Sequence, residues 1–333
     1  GLRAVLAGVA AVCLAVQVAA PAGAVAFPQG AAPKAWILVD ASSGRVLDAG
    51  NDRAPLPPAS LTKLLTALVA VQHLQPTDTL AVSPRAAGMP AMDINMKPGQ
   101  QWTFQDALYS LLLVSANDAA VAIGERVGGS LEGFGTMMQQ EAAALGLQDN
   151  PVLRDPAGLD DNFSVDGGNL LSARDIAIVA RADLAQPLLA SVVSTPIYRF
   201  VGPDGTQHRL LNHNKMLSAY PGAIGMKTGY TRKSGEDLVA AATRGDRTLI
   251  AVVMGAPNLY TDAGALLDEG FAGSAPPTGD VLPGAQTGAT RPARIASAAV
   301  ATPAALTPAT GHRTGTHGGT ALPTLWIAVG TVA

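Results

Sequence analysis

The amino-acid sequence predicts an α+β domain: one antiparallel sheet assembled from both ends of the folded body, with a helical lobe inserted between them. Three observations carry this expectation. Two short apolar runs separated by a turn open the body at residues 35–50. Stretches with helical leucine spacing fill its middle. Near residue 223 the period changes, and three apolar runs divided by turn residues read as strands.

The elements follow in order. AWILVDASSGRVLDAG is a hairpin signal around Ser42-Ser43-Gly44. A proline-rich turn, Pro55 to Pro58, introduces SLTKLLTALVAVQHL, where Leu61, Leu64, Leu65 and Leu68 recur at i, i+3, i+4 and i+7. This is a helix with one buried face, and Ser60 takes its first position. Residues 102–127 hold two helical stretches broken near Ser115-Ala116-Asn117. A further helix runs from Glu132 to Leu145 and stops at Gly146. Ser172, with Asp175 three residues on, caps the next one. GAIGMKTGYT, DLVAAAT and TLIAVVMGA are the three late strands, with Arg244-Gly245-Asp246-Arg247 turning between the last two. A helix over about Thr261–Phe271 closes the body.

Composition separates the body from its ends. The chain has 333 residues, a formal net charge of −3 and 14% charged residues. Residues 27–273 hold 18 basic and 24 acidic ones, because the ends carry only Arg3 on one side and Asp280, Arg291, Arg294 and Arg313 on the other. A body this acidic is a poor match for phosphate backbones, which argues against general nucleic-acid binding. Cys13 is the sole cysteine, and the histidines at 73, 208, 213, 312 and 317 lack metal-ligand spacing. No metal or other cofactor is expected.

Residues 1–26 have one early arginine, an uninterrupted apolar run and two A-x-A sites, the order of a secretory signal. An uncleaved anchor is the alternative, and both readings make the protein exported. Residues 274–320 are rich in Ala, Pro, Thr and Gly, without apolar period, and read as a flexible linker. ALPTLWIAVGTVA, residues 321–333, is apolar but shorter than a span of about 20 residues. It is expected to be the start of a truncated C-terminal membrane anchor, with Trp326 near the interface.

Three short motifs carry chemistry. In Ser60-Leu61-Thr62-Lys63 the outer residues share a helix face, so the Lys63 amine can reach Ser60 Oγ. A serine is a weak nucleophile until a base takes its proton, and a lysine is a base only with a lowered pKa. By itself the motif is a weak signal, and an isolated match more often marks a helix-capping serine followed by a surface lysine. Ser115-Ala116-Asn117 can aim two polar side chains into one cleft, or simply cap a helix. Lys227-Thr228-Gly229 places a cation, a hydroxyl and a missing side chain on a strand, suited to an extended anionic peptide.

The ordered set S-x-x-K, S-x-N, K-T-G resembles the signature of penicillin-binding proteins and class A β-lactamases. With PASLTKLLTALVA, LLLVSANDAAVAIGE and NHNKMLSAYPGAIGMKTGYT, the chain from Trp36 to Phe271 is similar to the low-molecular-mass D-alanyl-D-alanine carboxypeptidases, serine peptidases of peptidoglycan. The resemblance implies the β-lactamase/DD-peptidase fold and an acyl-enzyme on Ser60. It further implies Lys63 as general base, kept neutral partly by Lys227, and Ser115 as proton relay to the departing D-Ala. Asn117 would position Lys63 and bind the peptide, and Lys227 with Thr228 would hold the terminal carboxylate. Gly229 would let the substrate approach, and the N–H groups of Ser60 and Tyr230 would form an oxyanion hole, each donor worth about 3–4 kcal/mol. The implied partners are stem peptides ending in D-Ala-D-Ala, with β-lactams as inhibitors.

Two departures qualify the resemblance. Many relatives carry an arginine before the last helix to hold the substrate carboxylate, and Pro257-Asn258-Leu259-Tyr260-Thr261 has none. This leaves cleavage of D-Ala cross-links open, with Arg232 as a substitute cation. The β-rich domain that many relatives carry after the catalytic one is not expected either, since residues 274–320 read as a linker leading to the anchor segment. A β-lactamase would need a group to activate deacylating water, and Asp149–Phe163 contains no glutamate. A silent cell-wall-binding module is disfavoured by the complete motif set. His213 is read as structural.

Overall fold

The computed structural model describes residues 27, 30–90, 92–273 and 278–284. The chain enters as β1 (Ala35–Asp40) and β2 (Val46–Gly50), turning through Gly44 at φ 74°. A 3₁₀ turn (Ala59–Leu61) leads into α1 (Thr62–Val71). The lobe continues with β3 (Thr79–Ala81), α2 (Pro84–Ala87), β4 (Gln101–Thr103), α3 (Phe104–Leu113), α4 (Asn117–Gly128), α5 (Leu131–Leu145), α6 (Ala173–Ala185) and α7 (Pro187–Val193). A hairpin, β5 (Ile197–Val201) and β6 (Gln207–Leu211), and the short α8 (Met216–Ala219) follow. The chain then makes β7 (Ala223–Thr231), β8 (Gly235–Arg244), β9 (Arg247–Met254) and α9 (Leu259–Ala272).

The main sheet has the order β2-β1-β9-β8-β7, antiparallel throughout, so both ends of the body do build it. Its apolar runs are continuous because both faces are covered. Ile37, Val39, Val239, Ala241, Ile250 and Val252 pack toward the lobe. Their neighbours Leu38, Leu238, Ala240, Leu249, Ala251 and Val253 pack with Leu266 and Leu267 of α9. The period-2 alternation of strands makes this division. At the edge, Lys227 pairs with Val239 and therefore faces the lobe, whereas Thr228 and Tyr230 pair with Leu238 and Glu236 and face α9.

Within the lobe, α1 is the central helix, with every residue from Thr62 to Ala70 buried. The expected boundaries hold closely elsewhere: α3 ends before Ser115, α4 begins at Asn117, Gly146 terminates α5, and Ser172 Oγ accepts from the Asp175 N–H at 2.9 Å. Two details differ. Ser60 lies in the 3₁₀ turn rather than in the α-helix. Residues 278–284, assigned to the linker on composition, pack against the first hairpin: the Val46 N–H donates to Asp280 O and the Leu282 N–H to Gly44 O, each at 2.9 Å. Leu282 is buried there, and Asp280 pairs with Arg174 at 2.8 Å. The signal segment 1–26, the rest of the linker and the apolar segment 321–333 lie outside the described residues. Among the described residues no single helix is long and apolar enough to cross a membrane.

Candidate active site

The site begins with a backbone contortion. Ala59, just before Ser60, has φ 45°, and Ser115 has φ 64°. Of the six non-glycine residues with positive φ among those described, the other four are Asn or Asp, which tolerate this conformation. Ala59 and Ser115 do not share that tolerance, and both border the cleft, where such strain commonly collects. The 3₁₀ turn then lines up side chains three apart, bringing Ser60 over Lys63.

Lys63 Nζ lies 2.9 Å from Ser60 Oγ, 2.8 Å from Asn117 Oδ1 and 2.7 Å from Ala157 O. The Asn117 oxygen is identified by its other half, since Nδ2 donates to Pro90 O at 3.0 Å. Two of the three partners of Lys63 can only accept. A neutral amine, with two N–H donors, satisfies both and points its lone pair at the Ser60 hydroxyl. Burial lowers the Lys63 pKa to about 7, against the opposing pull of the Asp155 and Asp118 carboxylates. Burial, rather than the Lys227 field expected from the resemblance, is thus what lowers it. Lys227 is itself pushed well down, first by burial and then by Lys63.

The carbonyl of Ala157 comes from a loop that the motifs did not reveal. Asp155 Oδ1 accepts from the N–H groups of Ala157, Gly158 and Leu159, and Oδ2 from Val165. Asn169 Oδ1 accepts from Arg154 and Asp155, while its Nδ2 donates to Asp155 O. The loop is further tied to α1 by Thr66 Oγ1, which donates to Pro156 O at 2.7 Å. Gly158 approaches Ala59 so closely that an added Cβ would lie 1.9 Å from Ala59 O. Asp118 plays a similar part opposite, accepting from the N–H groups of Ile94 and Met96. Buried carboxylates spent on backbone N–H groups explain how a loop can present a carbonyl to Lys63.

Ser60, Ser115, Thr228, Gly229 and Tyr230 line one cleft of about 640 Å³, together with Met92, His213, Lys215, Glu236, Leu259 and Tyr260. Lys63, Asn117 and Lys227 are buried behind its floor. Lys227 Nζ donates to Thr228 O at 2.9 Å. All eight residues singled out in the sequence therefore converge. Arg232 is exposed in the turn after β7 and does not line the cleft, whereas Lys215 does. His213 lines it half-buried, its pKa lowered by burial and then by Lys227. Its backbone is engaged on both sides, donating to Leu113 O and accepting from the Tyr260 hydroxyl.

An antiparallel sheet with a helical lobe, and a Ser-Lys pair between them beside an edge-strand Lys-Thr-Gly, is the arrangement of the penicillin-recognising serine hydrolases. Comparison with known proteins narrows this. The family model for D-alanyl-D-alanine carboxypeptidases matches residues 22–258. The carboxypeptidase DacB2 of Mycobacterium tuberculosis is 36% identical over 76% of this chain and 86% of its own length. DacF of Bacillus subtilis is 34% identical over 67% of this chain, which spans 57% of that longer relative. The crystal structure of an evolved penicillin-binding protein homolog from Mycobacterium tuberculosis superposes with a TM-score of 0.71, at 33% identity, covering 79% of this chain and 99% of the other. The chain belongs to the D-alanyl-D-alanine carboxypeptidase family of serine peptidases.

Proposed function

We propose that this enzyme removes the terminal D-alanine from peptidoglycan stem peptides through an acyl-enzyme on Ser60. Lys63 takes the Ser60 proton as Oγ attacks the penultimate D-Ala carbonyl. The N–H groups of Ser60 and Tyr230 stabilise the oxyanion. The C–N bond then breaks, Ser115 relays the proton to the departing amine, and water releases the shortened peptide by the reverse proton path. Thr228 and Lys227 bind the carboxylate end, and Asn117 holds the amine of Lys63 in place. The observation that carries this reading is the Lys63 amine, whose two acceptor-only partners leave its lone pair for Ser60.

A β-lactam carries the same carbonyl and carboxylate and acylates Ser60. Its release is slow, because the opened ring keeps its leaving group attached where D-alanine would depart and water would enter, and the Asp155 carboxylate, committed to four backbone N–H groups, offers no separate base. The apolar segments near both ends of the sequence fit an exported enzyme tethered at the outer face of the membrane. Partitioning of the native protein into detergent is the expected sign of the tether, and wholly aqueous behaviour rules it out.

D-Alanine release from diacetyl-L-Lys-D-Ala-D-Ala, measured beside Ser60→Ala, tests the central reading. Release by the native enzyme alone is expected. Covalent penicillin labelling of the Ser60→Ala variant would refute the nucleophile. Release confined to cross-linked dimers would favour an endopeptidase, a reading kept open by the absence of arginine from residues 257–261.

A further inference from the structure

The far wall of the cleft carries a charge that the reaction above does not use. Lys215, immediately before α8, lines the cleft with Thr228, Tyr260 and Glu236. It takes part in no ion pair among the described residues, and its ammonium stands 6.0 Å above the Tyr260 ring. Its backbone is fixed. The Tyr260 hydroxyl donates to His213 O, two residues before Lys215, at 3.1 Å. Asn212 Nδ2 donates to Val193 O and Thr195 O, and the side-chain oxygens of Asn212 and Asn214 cap the turn that follows each. A rigid turn therefore presents a long, free cation to the cleft.

Charge bookkeeping along this wall leaves Lys215 alone in its class. Lys63 and Lys227 are buried, Arg232 lies outside the cleft, and the start of α9 contributes Leu259 and Tyr260, neither charged. A peptide attacked at its penultimate carbonyl has its terminal carboxylate carbon three bonds further on, within about 4 Å. Thr228 Oγ1 can donate one hydrogen bond to that group and Lys227 reaches it from the buried side, and a carboxylate, whose two oxygens offer about four lone-pair sites, has room for a further cation on its open side.

We infer that Lys215 is a specificity-determining residue: its ammonium pairs with the free C-terminal carboxylate of the substrate beside Thr228, and so selects unblocked D-Ala termini. Glu236, on the same wall, repels a carboxylate placed away from Lys215 and sharpens the position. The inference rests on the carboxypeptidase reading above and adds the residue that makes the enzyme an exopeptidase.

The experiment compares the native enzyme, Lys215→Met and Lys215→Arg on diacetyl-L-Lys-D-Ala-D-Ala and on its C-terminal amide. Lys215→Met is expected to lower the ratio of kcat/KM for acid over amide roughly 10-fold or more, chiefly through KM. Lys215→Arg is expected to restore most of it. If the amide is not cleaved at all, the same ratio is read from Ser60 acylation by benzylpenicillin and by its methyl ester. An unchanged ratio, or equal loss on both substrates, overturns the role of Lys215. Native enzyme that neither releases D-alanine nor is labelled by penicillin overturns the carboxypeptidase reading itself, and Lys215 with it.

Discussion

Gly229 of the edge strand and Ser60 of the 3₁₀ turn stand so close that a Cβ built on Gly229 would lie 3.2 Å from the Ser60 backbone nitrogen. It would also meet Ala59 Cβ at 3.2 Å and the Leu61 nitrogen at 3.3 Å. Two of these are backbone nitrogens and the third a Cβ fixed to the backbone, none able to swing aside as a longer side chain would. Gly229→Ala is therefore expected to push β7 from the Ser60 turn by a few tenths of an ångström, widening the pair of N–H groups that would receive the oxyanion. Penicillin acylation of Ser60 should slow by about 10–100-fold. Unchanged acylation kinetics would show that the close packing has no bearing on the reaction.

Activity should rise with pH through about 7. Below that value Lys63 holds a proton and has no lone pair for Ser60; above it the amine is neutral. The carboxylate of Asp155 holds this value up. Asp155→Asn removes the charge and keeps one acceptor oxygen, so the midpoint of kcat/KM against pH should move to lower pH. A pH profile of penicillin acylation checks both statements, and a midpoint near the usual lysine value would contradict them.

Asn117 leaves Lys63 with a chosen direction. Asn117→Ala removes one acceptor, frees the amine to turn, and also releases the bond to Pro90 O. The expected outcome is a fall in kcat of about 100-fold with intact folding. Asn117→Ala with native kcat would mean that Ala157 O alone orients the amine.

Asp183 in α6 is buried, and neither of its carboxylate oxygens has a partner among the described residues. Burial raises its pKa well above the usual 3.8, so the folded chain keeps a proton that the unfolded chain releases. Stability should then fall as pH rises above about 4, because the unfolded state is favoured by that release. Asp183→Asn lacks this loss. Its Tm should match the native protein near pH 4 and exceed it at pH 8. Thermal melts at both pH values decide it.

Much of this architecture could be read from residue types. Leucine spacing found α1, alternating apolar runs found β7 to β9, and three motifs named seven residues that meet in space. What escaped was carried by the backbone. The Ala157 carbonyl contributes to the site through an atom every residue possesses, so no residue type announces it. Asp155 and Asn169 could have been noticed only as polar residues flanking a Pro-Ala-Gly turn, a pattern shared by ordinary loops. Lys215 was hidden for a different reason: its place on the cleft wall depends on where α8 and α9 come to rest. Composition also misassigned residues 278–284, where a single buried leucine and a few backbone hydrogen bonds outweigh a proline- and glycine-rich background.

The pairing of β1 with β9 has a temporal consequence. The first strand of the body pairs at once with β2 but finds its second neighbour only after more than two hundred further residues have emerged, and its hairpin is clasped by Asp280 and Leu282 later still. Contacts of such sequence separation form slowly and late, whereas the helices between them can gather from local contacts. Ser60, Lys63 and Ser115 belong to the early lobe, Lys227 and Thr228 to the late sheet. The cleft therefore does not exist in an unfinished chain, and a partly delivered molecule presents neither a peptidase nor a target for penicillin.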